Sequence, residues 1–382
     1  MTGLSQRSYW SVLALTGILT LTLGLALTSP ATAGSEQKCY LQHNLVSDIP
    51  NLADTHDENL RNPWGLAFGP TSPFWVANNH TDTSTLYNGA GVPFPIGSPL
   101  VVSVEGGPTG VVFNGTSDFV VGDTCPPSGS DPCPGLFIFA TEAGTIAGWS
   151  PFVPPPPFSH TTVVKQTVPD AIYKGLAIAN IGPNNYLYAA NFHAGTIDVF
   201  DKNFDPFLLP PGAFVDPKLP AGYAPFNVTN LGGKLYVAYA KQDEEAEDEV
   251  AGKGKGFVDI FNPDGTFVQR VASRGKLNAP WGMAIAPDNF GRFSGDLLIG
   301  NFGDGFINAY TPEGDHFHFH GQLQGADGQP VQIDGLWALA FGTGAPNNGP
   351  ANALFFTAGI NDEENGLFGN LTAHTKAECG NP

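Results

Sequence analysis

The amino-acid sequence predicts an all-β protein: a six-bladed β-propeller closed by an N-terminal strand that completes the last blade. Three observations carry the prediction. Gly (48) and Pro (34) are abundant among the 382 residues. They cost about 1 and 3 kcal/mol in helix interiors, which excludes a helical bundle. No span of about a dozen residues shows a helical period between caps. A short pattern recurs six times, its third position falling at 65, 110, 175, 227, 282 and 338. Spacings of that size mark solenoids, propellers or arrays.

The repeats follow in order. The first has Pro63-Trp64-Gly65-Leu66-Ala67-Phe68, then Phe74-Trp75-Val76-Ala77. The second has Pro108-Thr109-Gly110-Val111-Val112-Phe113, then Phe119-Val120-Val121-Gly122, then Gly144-Thr145-Ile146-Ala147-Gly148-Trp149. The third has Tyr173-Lys174-Gly175-Leu176-Ala177-Ile178, then Tyr186-Leu187-Tyr188-Ala189, then Gly195-Thr196-Ile197-Asp198-Val199-Phe200. The fourth opens on the degenerate Pro225-Phe226-Asn227-Val228-Thr229-Asn230, followed by runs from Lys234 to Tyr239 and from Gly256 to Phe261. The fifth has Pro280-Trp281-Gly282-Met283-Ala284-Ile285, then runs from Leu297 to Gly300 and from Gly305 to Tyr310. The sixth has Leu336-Trp337-Ala338-Leu339-Ala340-Phe341, then a run from Leu354 to Thr357 and a third near Leu367 to Leu371. These runs are short, rich in β-branched and aromatic residues, and bounded by Gly, Pro, Asn and Asp, which is how strands read. Radial repetition of such sheets makes a propeller.

The ring must also close. Leu41 to Ser47 stands before the first repeat where Phe267 to Ser273 stands before the fifth. That segment is therefore expected to pair as the outermost strand of the last blade. Four cysteines are present. Cys125 and Cys133 flank a tight Pro/Gly/Ser/Asp loop and are expected to pair locally. Cys39 and Cys379 then remain, and closure of the ring would make them neighbours. A bond across so long a loop contributes about 4–5 kcal/mol on chain-entropy grounds.

The N-terminus reads as an address. Arg7 precedes an apolar run from Val12 to Leu27, and Ala31-Thr32-Ala33 supplies an Ala-x-Ala site. This pattern is a secretory signal, residues 1–33, cleaved after Ala33. The run falls short of the roughly 20 residues needed to cross a bilayer. Residues 34–382 then form a single propeller domain, secreted or periplasmic, in a compartment that permits disulfides. The formal charge of −19 and the pI near 4.6 repel phosphate backbones, which excludes nucleic acid as a default partner. The expected form is a monomer, without a membrane span in the mature chain.

The Pro-x-Gly-(Leu/Val)-(Ala/Val) strands, with the Tyr/Phe-Val-Ala-Asn and Gly-x-Ile-x-Val-Phe runs after them, resemble NHL and SMP-30/gluconolactonase-type propeller repeats. Asn62-Pro63-Trp64-Gly65, the run from Tyr188 to Phe200 and Asn301-Phe302-Gly303-Asp304-Gly305 resemble a family of secreted bacterial six-bladed propellers without assigned function. The likeness covers nearly all of the mature chain. It implies the fold, and a propeller hosts many activities. SMP-30-type enzymes hold one divalent metal in the channel with carboxylate and Asn ligands. By that likeness Asp123, Asn191 and Asn301 would offer oxygens of the kind Ca²⁺ accepts. The first inner strand reads Asn-Pro-Trp-Gly, without the Glu that those enzymes place near it. Ca²⁺ is thus the one cofactor implied, and a Ca²⁺-dependent hydrolase or lactonase is the alternative activity.

In a propeller, the loops leading into the inner strands and those after the second strands meet on one face around the channel. That face is expected to gather Trp64, Thr109, Lys174, Phe226, Trp281 and Trp337 with Asn78, Asp123, Asn191, His193, Asn301, Asp304, Asn361 and Asp362. Trp64, Asp123, Asn191, His193, Trp281, Asn301, Asp304 and Trp337 are the candidate ligand-binding set. Aromatic platforms beside Asn and Asp hydrogen-bonding groups suit a small polar or sugar-like ligand, or a protein partner. Other signals read as surface. His316-Phe317-His318-Phe319-His320 puts three imidazoles on one face of an outer strand. Asp243 to Glu249 reads as a solvated charged loop. Gly252 to Gly256 lacks Walker spacing and opens a strand.

Overall fold

The computed structural model describes residues 38–125, 129, 131–154 and 159–379. The leader read at residues 1–33 lies outside them. Among the described residues the one α-helix is the short Lys376–Cys379, as the Gly and Pro content requires.

Six sheets form the blades, and their strands pair antiparallel with neighbours in the chain. The first comprises Pro63–Ala67, Phe74–Asn78, Thr83–Tyr87 and Val101–Ser103. The second comprises Pro108–Phe113, Phe137–Thr141, Thr145–Trp149 and Val163–Thr167. The third has three strands: Tyr173–Ile181, Asn184–Asn191 and Thr196–Phe200. The fourth comprises Tyr223–Leu231, Lys234–Lys241, Gly256–Phe261 and Phe267–Ser273. The fifth comprises Pro280–Ile285, Leu297–Asn301, Ile307–Glu313 and His316–Gln322. The sixth comprises Leu336–Phe341, Ala353–Ile360 and Asn365–Thr375. Apolar clusters fill the spaces between blades, and a separate aromatic cluster fills the axis.

The repeated Gly has a packing cause. Each inner strand lies beside the next, and the sixth lies beside the first. A Cβ at Gly282 would run into the Trp337 carbonyl of the following blade. At Gly175 it would run into Asn227. Asn227 occupies the degenerate fourth repeat, where it donates Nδ2 to the Trp281 carbonyl at 2.9 Å. The register also slips next to these positions, in five inner strands: at Pro63/Leu66, Tyr173/Leu176, Pro225/Asn227, Pro280/Met283 and Leu336/Leu339. Such bulges re-aim side chains. Here they accompany the turn of Trp64, Phe226, Trp281 and Trp337 onto the axis.

The ring closes as the sequence predicts. Lys38–Ser47 pairs antiparallel with Asn365–Thr375, Cys39 lying opposite His374. Cys39 is bonded to Cys379, and Cys125 to Cys133. Tyr40 carries the seam into the fifth blade, its hydroxyl donating to the Phe290 carbonyl at 3.0 Å.

One element corrects the sequence reading. The run Phe119 to Gly122 is not the second strand of the second blade. Val120–Gly122 pairs with Cys133–Pro134 in a small insertion hairpin, and Phe137–Thr141 takes the inner position beside Pro108–Phe113. The hairpin leaves from the far end of that inner strand, since Phe113 pairs with Phe137 and Pro108 with Thr141. Asp123 therefore lies on the face opposite the channel mouth. Glu142, which follows Thr141, takes the place assigned to it.

Candidate functional site: the channel mouth

The axis is floored by aromatic rings. Trp64 stacks on Trp337 with centroids 3.5 Å apart, and Phe302 stacks on Trp337 at 4.1 Å. Trp281 stands edge-on to Trp337 at 5.7 Å. Two indoles are satisfied: Trp281 Nε1 donates to the Lys174 carbonyl at 2.9 Å and Trp337 Nε1 to Asn62 Oδ1 at 3.1 Å. Trp64 is 3% exposed, and its Nε1 has no partner. A buried donor without an acceptor costs about 1–3 kcal/mol.

Against this floor lies a cavity of about 600 Å³. Its wall comes from Trp64, from the turns after the second strands (Asn79, His80, Glu142, Asp362, Glu363), from Ile172 and Lys174, and from Glu247, Asp248 and Glu249. Lys174 is its pivot, at 1% exposure. Its Nζ lies 2.5 Å from Glu142 Oε1 and 2.9 Å from Asp248 Oδ1, and 5.2 Å over the Trp64 ring. A buried charge persists only if paired. Burial alone would lower the Lys174 pKa, but the two carboxylates outweigh it and hold the ammonium charged. Asn79 Nδ2 donates to Glu142 Oε2 at 2.8 Å, and Asn62 Nδ2 to Glu363 Oε2 at 2.6 Å.

The acidic run from Asp243 to Glu249 is not a freely solvated loop. Asp243 N–H donates to the Asp248 carbonyl at 2.9 Å, and Val250 N–H to the Lys241 carbonyl at 2.7 Å. Gln242 Nε2 donates to the Phe192 carbonyl at 2.7 Å, and His193 Nδ1 lies 3.2 Å from the Ala246 carbonyl. The loop thereby brings Asp248 to Lys174 and Glu249 into the wall.

The remaining predicted residues are placed as follows. Asn191 donates Nδ2 to Asp198 and accepts from the Ala194 N–H, which closes its own turn. Asn301 donates Nδ2 to the Lys276 carbonyl and to Asp304, and Asp304 accepts from the Phe306 N–H. His193 props the acidic loop, and Trp281 and Trp337 lie under Trp64. Trp64 is thus the member of the candidate set that lines the cavity. Lys174 and Asp362, expected on the same face, line it too. Glu142 was hidden by the misread second strand, and Asp248 and Glu249 by a charge run that composition alone reads as surface. Asp123, Asn191 and Asn301 do not converge, so they do not fit the Ca²⁺ site that the resemblance implied. Among the described residues, no three His, Cys, Asp or Glu side chains are grouped to hold a metal ion. His318 and His320 on the outer strand of the fifth blade lie 2.8 and 2.6 Å from Glu313 and Asp296.

Two carboxyls in the wall are held above the usual carboxylate range. Burial pushes Glu249 up to about 8, against the pull of Lys174 and with added repulsion from Glu363 and Asp248. Burial also raises Glu363, against the Asn62 hydrogen bond and Lys174. Between pH 5 and 8 the folded chain therefore binds protons that the unfolded chain releases, and stability falls as pH rises. Urea denaturation at pH 5.5, 7.0 and 8.5 is expected to give a steadily decreasing unfolding free energy. Glu249→Gln should flatten the decrease; a rise with pH would contradict the assignment.

The fold and this site define the class: a six-bladed β-propeller with a charged, partly enclosed channel mouth. Among the described residues, no helix is long and apolar enough to cross a membrane. The chain belongs to the same family as the uncharacterized protein R648 of Acanthamoeba polyphaga mimivirus. The two are 38% identical over 336 residues, 86% of this chain and 78% of that one. It is also 35% identical to the uncharacterized protein L690 of the same virus, over 86% of this chain and 84% of that one. Both relatives are viral, where the motifs suggested a bacterial family. No family model matches the chain. A crystal structure of a glucose dehydrogenase shares the fold at 15% identity and a TM-score of 0.50, covering 86% of this chain and 99% of that one.

Proposed function

We propose that the protein binds a small polar, hydroxyl-bearing molecule at the channel mouth. One observation carries the reading: a cavity of about 600 Å³ walled by charged and amide groups and floored by Trp64. Its size lies in the range of small-molecule sites, about 300–1,000 Å³. Its concavity favours a small ligand over a flat protein partner. The two disulfides and the leader motif support action outside the cytoplasm.

Calorimetric titration with neutral sugars and polyols tests the proposal. Trp64→Phe keeps an aromatic ring and removes the N–H. It is expected to weaken binding by about tenfold through the smaller aromatic floor, while leaving the melting temperature unchanged or slightly higher, since the unpartnered donor is gone. An unaltered affinity would remove Trp64 from the site. No binding by the unmodified protein would remove the site.

A further inference from the structure

We propose that the outer edge of the third blade docks an extended peptide segment of another protein, apolar in its middle and flanked by basic residues, which supplies the strand this blade lacks. The site is separate from the channel mouth and does not rest on its reading.

Topology is the first argument. In five blades the third strand has an outer partner. The chain that follows supplies it in the first, second, fourth and fifth, and Lys38–Ser47 supplies it in the sixth. Among the described residues, the third blade ends at Thr196–Phe200. An outer strand brought from a distant part of the chain is thus already a feature of this fold.

The backbone states what the edge needs. The Val199 carbonyl accepts from the Phe207 N–H at 2.7 Å, so it points away from the sheet. Backbone groups alternate in direction along a strand. The Ile197 N–H, the Ile197 carbonyl and the Val199 N–H therefore point the same way. Among the described residues, none of these three has a hydrogen-bond partner. Pro206 and Phe207 cover the Phe200 end of the edge through one isolated bridge and leave the rest open. Unpaired groups in a row are a template for a further strand. An extended peptide carries the matching donors and acceptors, and its side chains decide which peptide is taken.

A cavity marks the place independently. It measures about 440 Å³ and is lined by residues 195–200, by Val168 and by most of 206–215. Its walls are apolar on both faces of the missing strand. Ile197, Val199, Leu209 and Phe214 belong to the cluster shared with the fourth blade, and Phe200 and Val168 to the one shared with the second. Leu208 in the lining is 92% exposed, and Phe207 and Val215 are exposed beside it. These walls call for an apolar middle in the incoming strand. Charge sets its flanks. On or beside the lining stand Asp170, Asp198, Asp201 and Asp205 against Lys165 and Lys202, in a chain of net charge −19. Basic ends are attracted there and acidic ends repelled.

Fluorescence polarisation of the labelled peptide Lys-Thr-Val-Ile-Val-Thr-Lys with the full-length processed protein tests the proposal. Saturable binding is expected. N-methylation of the two Val residues, or of both Thr and the Ile, removes the donors on one side of the strand or the other. The two methylated forms should differ in affinity by at least about tenfold, since one side alone faces the edge. A peptide with Glu in place of both Lys should bind at least about tenfold more weakly. Ile197→Pro removes an N–H that makes no bond within the sheet, and an edge strand tolerates Pro there. It should weaken the parent peptide by at least about tenfold. Should that variant fail to fold, the methylated pair still decides on the unmodified protein. Absence of binding, or equal affinities of the two methylated forms, would overturn the edge site. Unchanged affinity in a folded Ile197→Pro variant would do the same. Equal binding of the Glu-flanked peptide would overturn the basic partner. A dimer in sedimentation that the peptide dissociates would make a second copy the occupant and overturn the foreign one.

Discussion

Lys174→Met is expected to destabilise the propeller by about 3 kcal/mol and to abolish binding at the mouth. Breaking one side of a buried ion pair costs roughly 3–5 kcal/mol, because the stranded partner stays charged without compensation. The lower end applies here. The Asp248 side chain is 73% exposed and that of Glu142 32% exposed, so both can recover water. The loss has a second component, since Asp248 anchors the acidic loop through this contact. Urea denaturation at pH 7.5 measures the loss. Adding Glu142→Gln to Lys174→Met removes the stranded carboxylate and is expected to recover about 1 kcal/mol or more, as coupled neighbours do. A loss below about 0.5 kcal/mol in the single variant would show that the pair is not a pivot. Strict additivity in the double variant would show that the two groups do not interact.

Opening the seam of the ring should have a comparable effect. Replacing Cys39 and Cys379 by Ala removes a bond between residues 340 positions apart. On chain-entropy grounds the loss is about 5 kcal/mol, against roughly 2–3 kcal/mol for Cys125 and Cys133, whose separation is short. The bond also fixes the strand that completes the sixth blade, Lys38–Ser47, so its removal lets the first and last blades part by local fraying. The Cys39→Ala/Cys379→Ala variant should show the larger fall in melting temperature, and proteolysis should begin near the N-terminal strand. An equal or smaller fall than in Cys125→Ala/Cys133→Ala would mean that strand pairing alone closes the ring.

The fold was legible because its demands are local and repeated. Strand patterning shows in composition and alternation. The glycines at 65, 110, 175 and 282 mark where adjacent inner strands leave no room for a Cβ. The closing strand showed as an unpartnered copy of an outer strand. The site was legible only in part. Trp64 and Lys174 stand at a fixed place in the repeat, so register alone puts them on the mouth face. Glu142 was lost because Phe119 to Gly122 carries the same apolar pattern as a second strand, and only pairing distinguishes the two. Asp248 and Glu249 were lost because a run of acids has one appearance whether it is solvated or folded inward.

The amino-acid sequence by itself determined the all-β class, the six-fold repetition, the closing strand and both disulfide partnerships, since each follows from residue order and short-range sterics. Only the tertiary structure decided which charges share the mouth. The ammonium of Lys174 comes from the third blade, and its carboxylate partners come from the second and fourth. Their meeting depends on one inner strand and two separate loops and on the loss of water between them, and no local pattern in the chain encodes either.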